Sequence, residues 1–224
     1  MSVISNYSIE NNIVKFKLNN TSAKYKISFT NALRRILISY IDCYAIDFND
    51  IEFIENNSLF NNEFLKKRLS LIPIISNNNH NYEFIQVFCQ AENDKEIVKD
   101  VYVSDFKIKD RTIDKELKIS DFFSDMDILF SKLQFEQKIN FECNLKKNNA
   151  FEGGSSFSPV SSCVVTFENS NYSKDTIEDR ERNYDLNSKN EPKTYDFYYE
   201  NIGFFKSEEL IKKANDLLIK KLND

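Results

Sequence analysis

Few side chains in this 224-residue sequence have both the type and the spacing that chemistry requires. The only histidine, His80, sits in the run Asn77-Asn78-Asn79-His80-Asn81, with no Cys, Asp or Glu at triad-like or metal-like distance along the chain. It reads as a solvated loop residue. Asp121, Asp125 and Asp127 lack the glycine and closing glutamate of a calcium loop, so they read as a solvated charge cluster. Gly153-Gly154 precede Ser155-Ser156-Phe157-Ser158-Pro159, without the further glycines and the lysine of a phosphate loop. A turn is expected there. Cys43, Cys89, Cys143 and Cys163 are scattered, and no pair has zinc-site spacing. Buried, reduced thiols are expected. These residues predict no catalytic group, no metal and no cofactor.

Charge narrows the function classes further. The net charge is −5, whereas a surface that grips phosphates carries a basic excess or stripe. Direct nucleic-acid binding is therefore disfavoured. The one basic cluster, Lys66-Lys67-Arg68, reads as a solvated helix face or a contact for an acidic partner. Hydrophobic residues make up 41% and charged residues 29%, as in a folded globular chain. The longest nearly unbroken apolar stretch, residues 69–75, is too short to cross a bilayer. The N-terminal residues lack the charged start and apolar middle of a signal peptide, so an intracellular protein without membrane contact is expected.

The elements that would position partner-binding groups follow from periodicity. Phe29, Ala32, Leu33, Ile36, Leu37, Tyr40 and Ile41 fall at helical spacing and predict an amphipathic helix over 29–41, with Ser28 or Thr30 as its cap. Residues 14–18 and 25–27 predict a hairpin turning at 19–22. Residues 45–53 alternate as a strand, and 59–69 read as a helix with Phe60, Phe64 and Leu65 on one face, stopped by Pro73. Further strands are expected at 82–89, 98–108, 138–145, 160–167 and 195–202, while 113–135 fits neither type. The polar stretch 169–194 reads as a linker or mobile loop. Ser207 is the expected cap of a last helix with the stripe Leu210, Ile211, Ala214, Leu217, Leu218 and Leu222. Two amphipathic helices thus bracket a β-rich middle, an α+β arrangement, and each stripe is wide enough to serve a sheet and a second surface.

The strings themselves say more than their periods. Phe29-Thr30-Asn31-Ala32-Leu33-Arg34-Arg35-Ile36-Leu37-Ile38 resembles the first helix of the α-like subunits of DNA-directed RNA polymerases. Ala45-Ile46-Asp47 through Ile51-Glu52, then Asn62-Glu63-Phe64 and Arg68-Leu69-Ser70-Leu71-Ile72-Pro73-Ile74, resembles a stretch of the eukaryotic and archaeal members and is unlike bacterial α. Ser158-Pro159-Val160, and residues 195–203 with the last helix, are similar to two later blocks of the same subunits. Some relatives carry a Cys-rich metal or cluster insertion after the Leu-Ile-Pro segment. Here that stretch has only Cys89.

The resemblance implies a discontinuous α-like dimerisation domain from residues 1–46 and 171–224, with an inserted mainly-β domain over 47–170. It implies that the terminal helices pair with a small α-like subunit through Phe29, Asn31, Leu33, Ile36, Leu37, Tyr40, Leu210, Ala214, Leu217 and Leu218. Arg34 and Arg35 would face the second-largest polymerase subunit or form ion pairs in the assembly. The insert would hold a small zinc-binding adaptor subunit or that same large subunit. The implied role is a non-catalytic assembly platform, nuclear in a cell, or cytoplasmic or in the virion if encoded by a large DNA virus. Some such viruses fuse the small subunit on. The end of this chain after its last helix implies a separate partner polypeptide. The competing reading is a stand-alone protein-interaction module with both stripes folded onto its own sheet.

Overall fold

A computed structural model describes residues 4–76, 81–167 and 185–223. In chain order the elements begin with β1 (Ile4–Glu10), β2 (Ile13–Asn19), α1 (Ile27–Ser39), β3 (Cys43–Asn56) and α2 (Asn62–Ser70). Then come β4 (Ile85–Glu92), β5 (Lys99–Tyr102), β6 (Lys107–Asp110), β7 (Lys115–Leu117), β8 (Leu129–Leu133) and β9 (Lys138–Asn148). The chain continues through α3 (Ala150–Gly153), β10 (Val160–Phe167), β11 (Thr194–Asn201) and α4 (Ser207–Asn223). The fold is α+β, and the chain divides into two compact units.

The first unit comprises Met1–Ile41, Pro159–Ile202 and Lys206–Asp224. Its sheet is antiparallel in the order β1-β2-β11-β10. Val14, Phe16 and Leu18 of β2, and Tyr195, Phe197 and Tyr199 of β11, are buried at alternating positions, as strands with one covered face require. Phe16 lies opposite Phe197 in the ladder, and their rings stack at 4.9 Å. The expected hairpin forms elsewhere. β2 pairs with β1 through Asn11 and Asn12, both at positive φ (49° and 65°), a conformation asparagine tolerates in two-residue turns. Residues 25–27 are not a strand, because Ile27 already opens α1.

The second unit comprises Asp42–Ser158 and Gly203–Phe205. It holds a five-stranded antiparallel sheet, β3-β9-β4-β6-β7, and a separate β5-β8 pair. Its core is aromatic. Phe106 meets Phe123, Phe130 and Phe141 edge-on, at centroid distances of 6.2, 5.4 and 5.3 Å. Such T-shaped contacts suit the quadrupole of the ring. Ile139, Phe141 and Cys143 point inward from β9, on the face their alternation predicts. Gly203 has φ of +106°, and a Cβ there would meet Ser124 Oγ at 2.8 Å.

Several boundaries differ from those expected. The units part at 41/42 and 158/159 rather than at 46/47 and 170/171, because Val160–Phe167 joins β11 in the first sheet, with Cys163 opposite Tyr199. The strand expected over 98–108 is two strands broken by a 3-10 turn at Val103–Asp105. Residues 82–84 form another such turn before β4. Within 113–135 lie β7, a 3-10 turn and β8. Helix α2 starts at Asn62, because the Asn61 side chain caps it by accepting from Phe64 N at 2.9 Å.

Candidate partner interface

Helix α1 is positioned from outside its own sequence. Asn20, fully buried, donates through Nδ2 to the carbonyls of Tyr25 (2.7 Å) and Pro192 (3.0 Å), and its Oδ1 accepts from Tyr25 N (2.8 Å). The Asn187 amide donates to Asn20 O at 3.1 Å. Glu191 accepts from the Ile27 amide at 3.3 Å, placing a carboxylate at the positive end of the helix. Ser28 and Thr30 do not cap α1. Thr30 lies inside it, donating to Ile27 O at 2.8 Å, and Lys26 precedes the helix with no side-chain cap. Part of the expected linker, residues 185–193, is therefore a small ordered hairpin closed by the Leu186–Pro192 bridge. Residues 169–184 of that stretch lie outside the described residues, as does His80.

Helix α1 packs on β10 and on α4. Lys221 sits 4.2 Å from the centroid of the Tyr40 ring, a cation–π contact between α4 and the end of α1. Glu208 and Glu209 lie in the first turn of α4 and Lys220 and Lys221 in its last, matching the helix dipole. Ser207 is the first helical residue rather than a preceding cap; its hydroxyl accepts from Asn201 Nδ2 at 3.0 Å and its carbonyl accepts from Tyr199 OH at 2.8 Å. Burial raises the Tyr199 phenol well above its ordinary range.

The twelve residues expected to bind a partner fall into three groups. Leu33, Ile36, Leu37, Leu210, Ala214 and Leu218 are already buried within the first unit. Phe29, Arg34, Tyr40 and Leu217 are half-buried, and Asn31 and Arg35 are exposed. Ile27, Ile219 and Leu222, none of them in that set, leave apolar surface open on the same two helices, Leu222 being 73% exposed. Leu222 belongs to the expected stripe of α4, whereas Ile27 and Ile219 are apolar residues just off the stripes. Among the described residues neither Arg34 nor Arg35 is in an ion pair. Arg34 lies near enough to Cys163 of β10 to oppose the effect of burial, which pushes that thiol up to about 12.

All four cysteines are free and buried, and burial pushes each thiol up, Cys89 to about 12. Asp121, Asp125 and Asp127 are exposed, and Asp125 closes a local turn by accepting from the Asp127 amide at 2.9 Å. Gly153 ends α3 where a Cβ would meet the Phe157 ring at 2.5 Å. Among the described residues no group of three or more His, Cys, Asp or Glu is placed to hold a metal, and no helix is long and apolar enough to cross a membrane.

The family model described as the RNA polymerase Rpb3/Rpb11 dimerisation domain matches residues 21–222, from the loop clasped by Asn20 to the end of α4. The chain belongs to this family of α-like RNA polymerase subunits. Within it, the chain is 30% identical over 179 residues to DNA-directed RNA polymerase II subunit RPB3 of Schizosaccharomyces pombe, covering 71% of this chain and 57% of that protein. It is 39% identical over 85 residues to the Dictyostelium discoideum polymerase II subunit rpb3, covering 38% of this chain and 24% of that one. Over 53 residues it is 49% identical to subunit Rpo3 of Methanocaldococcus jannaschii, covering 24% of this chain and 27% of that subunit. The chain thus spans about half or less of the length of these curated relatives.

Proposed function

We propose that this α-like subunit is a non-catalytic assembly platform of a multisubunit DNA-directed RNA polymerase. In this reading the first unit forms a heterodimer with a small α-like subunit, and nucleotide addition belongs to other, larger subunits. The observation that carries it is the helix pair α1–α4 inside the matched dimerisation domain, which buries one stripe within its own unit and leaves Ile27, Ile219 and Leu222 exposed beside half-buried Phe29, Tyr40 and Leu217. Covering a large aliphatic side chain is worth roughly 1.5–3 kcal/mol, so a few such residues from each helix would anchor a partner. Arg35, exposed and in no ion pair among the described residues, and half-buried Arg34 would meet the second-largest polymerase subunit, with the planar multi-donor head that suits interface ion pairs. The 42–158 unit would hold a small zinc-binding adaptor subunit or that same large subunit. An intracellular location follows from the role, in a nucleus or, for a viral gene, in cytoplasm or virion.

The partner would touch the leftover face rather than the buried stripe. Leu33→Asp would therefore unfold the first unit instead of testing pairing, and Leu217→Asp and Leu222→Asp are the sharper variants. Co-expression with the small α-like subunit of the same genome, followed by native mass measurement, should return a 1:1 complex that both variants weaken. A clean monomer that ignores that subunit would favour a stand-alone interaction module, for which six of the twelve expected contact residues already serve as private core.

A further inference from the structure

Helix α2 buries only Leu65, Leu69 and Ser70. Of its exposed residues Asn62, Glu63, Lys67 and Arg68 are polar and Phe64 is apolar, and further exposed apolar side chains flank its two ends. Leu59 is 73% exposed, Phe60 39%, Phe64 45% and Leu71 50%. Phe60, just before the helix cap, and Phe64 stack at 4.7 Å, and Arg68 lies 6.0 Å from the Phe64 ring centroid, so the three side chains form a continuous row. The row ends at a cleft of about 230 Å³ lined by Arg68, Leu71, Ile72, Ile128, Leu129 and Phe130.

We propose that this row and cleft form a docking groove for a short acidic, apolar peptide segment of a protein partner. The cleft is smaller than the roughly 300–1,000 Å³ of small-molecule sites and fits a single aliphatic or aromatic side chain. The charge above it is unneutralised. Arg68 donates from Nε to Phe130 O (3.1 Å) and from Nη2 to Leu129 O (2.6 Å), both neutral acceptors that fix the guanidinium at the cleft mouth. Lys67 reaches Ser155 Oγ at 3.4 Å, and Lys66 lies 5.9 Å from the Phe48 ring centroid. None of the three cations has a carboxylate partner among the described residues. In a chain of net charge −5, such a cluster beside exposed apolar rings is complementary to carboxylates alternating with Leu or Phe. Phosphate recognition fits less well, because exposed Leu and Phe side chains occupy the positions where further cations would track a backbone. The groove lies wholly within residues 59–130, so its test is independent of pairing by α1 and α4.

The probe is a fluorescent peptide in which Glu and Asp alternate with Phe and Leu, titrated into the full chain and read by anisotropy. Saturable binding is expected, weaker at high salt, and lost when the acids are replaced by Gln or Lys. Leu71→Asp and Lys67→Glu, both at exposed positions, should each weaken binding about tenfold with an unchanged melting temperature. Arg68→Gln also releases the β8 carbonyls, so those two variants carry the decision. Absence of saturable binding, equal affinity for the acidic and Lys peptides, or indifference to Leu71→Asp would overturn the proposal. So would displacement of the peptide by a single-stranded oligonucleotide that binds more tightly.

Discussion

Helices α1 and α4 of the first unit and helix α2 of the second use amphipathicity in opposite ways. The first two sink their regular stripes into their own unit: Leu33, Ile36 and Leu37 on α1, and Leu210, Ala214 and Leu218 on α4. What they leave exposed is Ile27, Ile219 and Leu222. Helix α2 is too short for a full stripe. It holds itself with Leu65 and Leu69 and turns Phe64 outward. A helical period therefore tells which residues share a face, while the neighbouring layer decides whether that face is core or contact surface.

That contrast breaks most directly at Leu33, which is 7% exposed. Leu33→Asp is expected to cost about 3–5 kcal/mol, because it removes an aliphatic contact and buries a carboxylate without a partner. Urea denaturation followed by circular dichroism should show it, and a wild-type midpoint would mean the stripe is not core. Asn20→Ala is next. It leaves the Tyr25 amide and the Pro192 carbonyl without their side-chain partner, for a loss of about 1–3 kcal/mol. Hydrogen exchange should then quicken at the start of α1 and leave α2 unchanged, which separates the two units.

The thiols give a smaller effect with a definite sign. Burial pushes Cys89 and Cys163 up to about 12, so the unfolded chain releases these protons first, from about pH 8.5. Their contribution to stability is complete below that pH and is lost as pH rises toward 12. The melting temperature should fall between pH 8.5 and about 10.5 by less in Cys89→Ala than in the parent. An equal fall in both chains would remove the burial argument. The smallest effects are expected where the comparison predicts free surface. Leu222→Asp and Phe64→Ser should each change stability by no more than about 0.5 kcal/mol in chemical denaturation, although each is a large change of polarity.

The sequence alone located most elements, because burial of one face imposes a period of two on strands and 3.6 on helices. It thereby supplied β2, β3, β9, β10, β11 and both terminal helices to within a few residues. It also carried the family resemblance, since Phe29 to Ile38 and Arg68 to Ile74 are strings rather than patterns. Pairing was less legible. The β1–β2 turn at Asn11-Asn12 depends on left-handed backbone, which asparagine permits in many places where no turn forms. The cap of α1 was invisible because Glu191 is 164 positions from Ile27. Whether Leu33 is core and Leu222 surface was likewise settled only by tertiary packing, since both sit at apolar helical positions and only the layer laid against each helix distinguishes them.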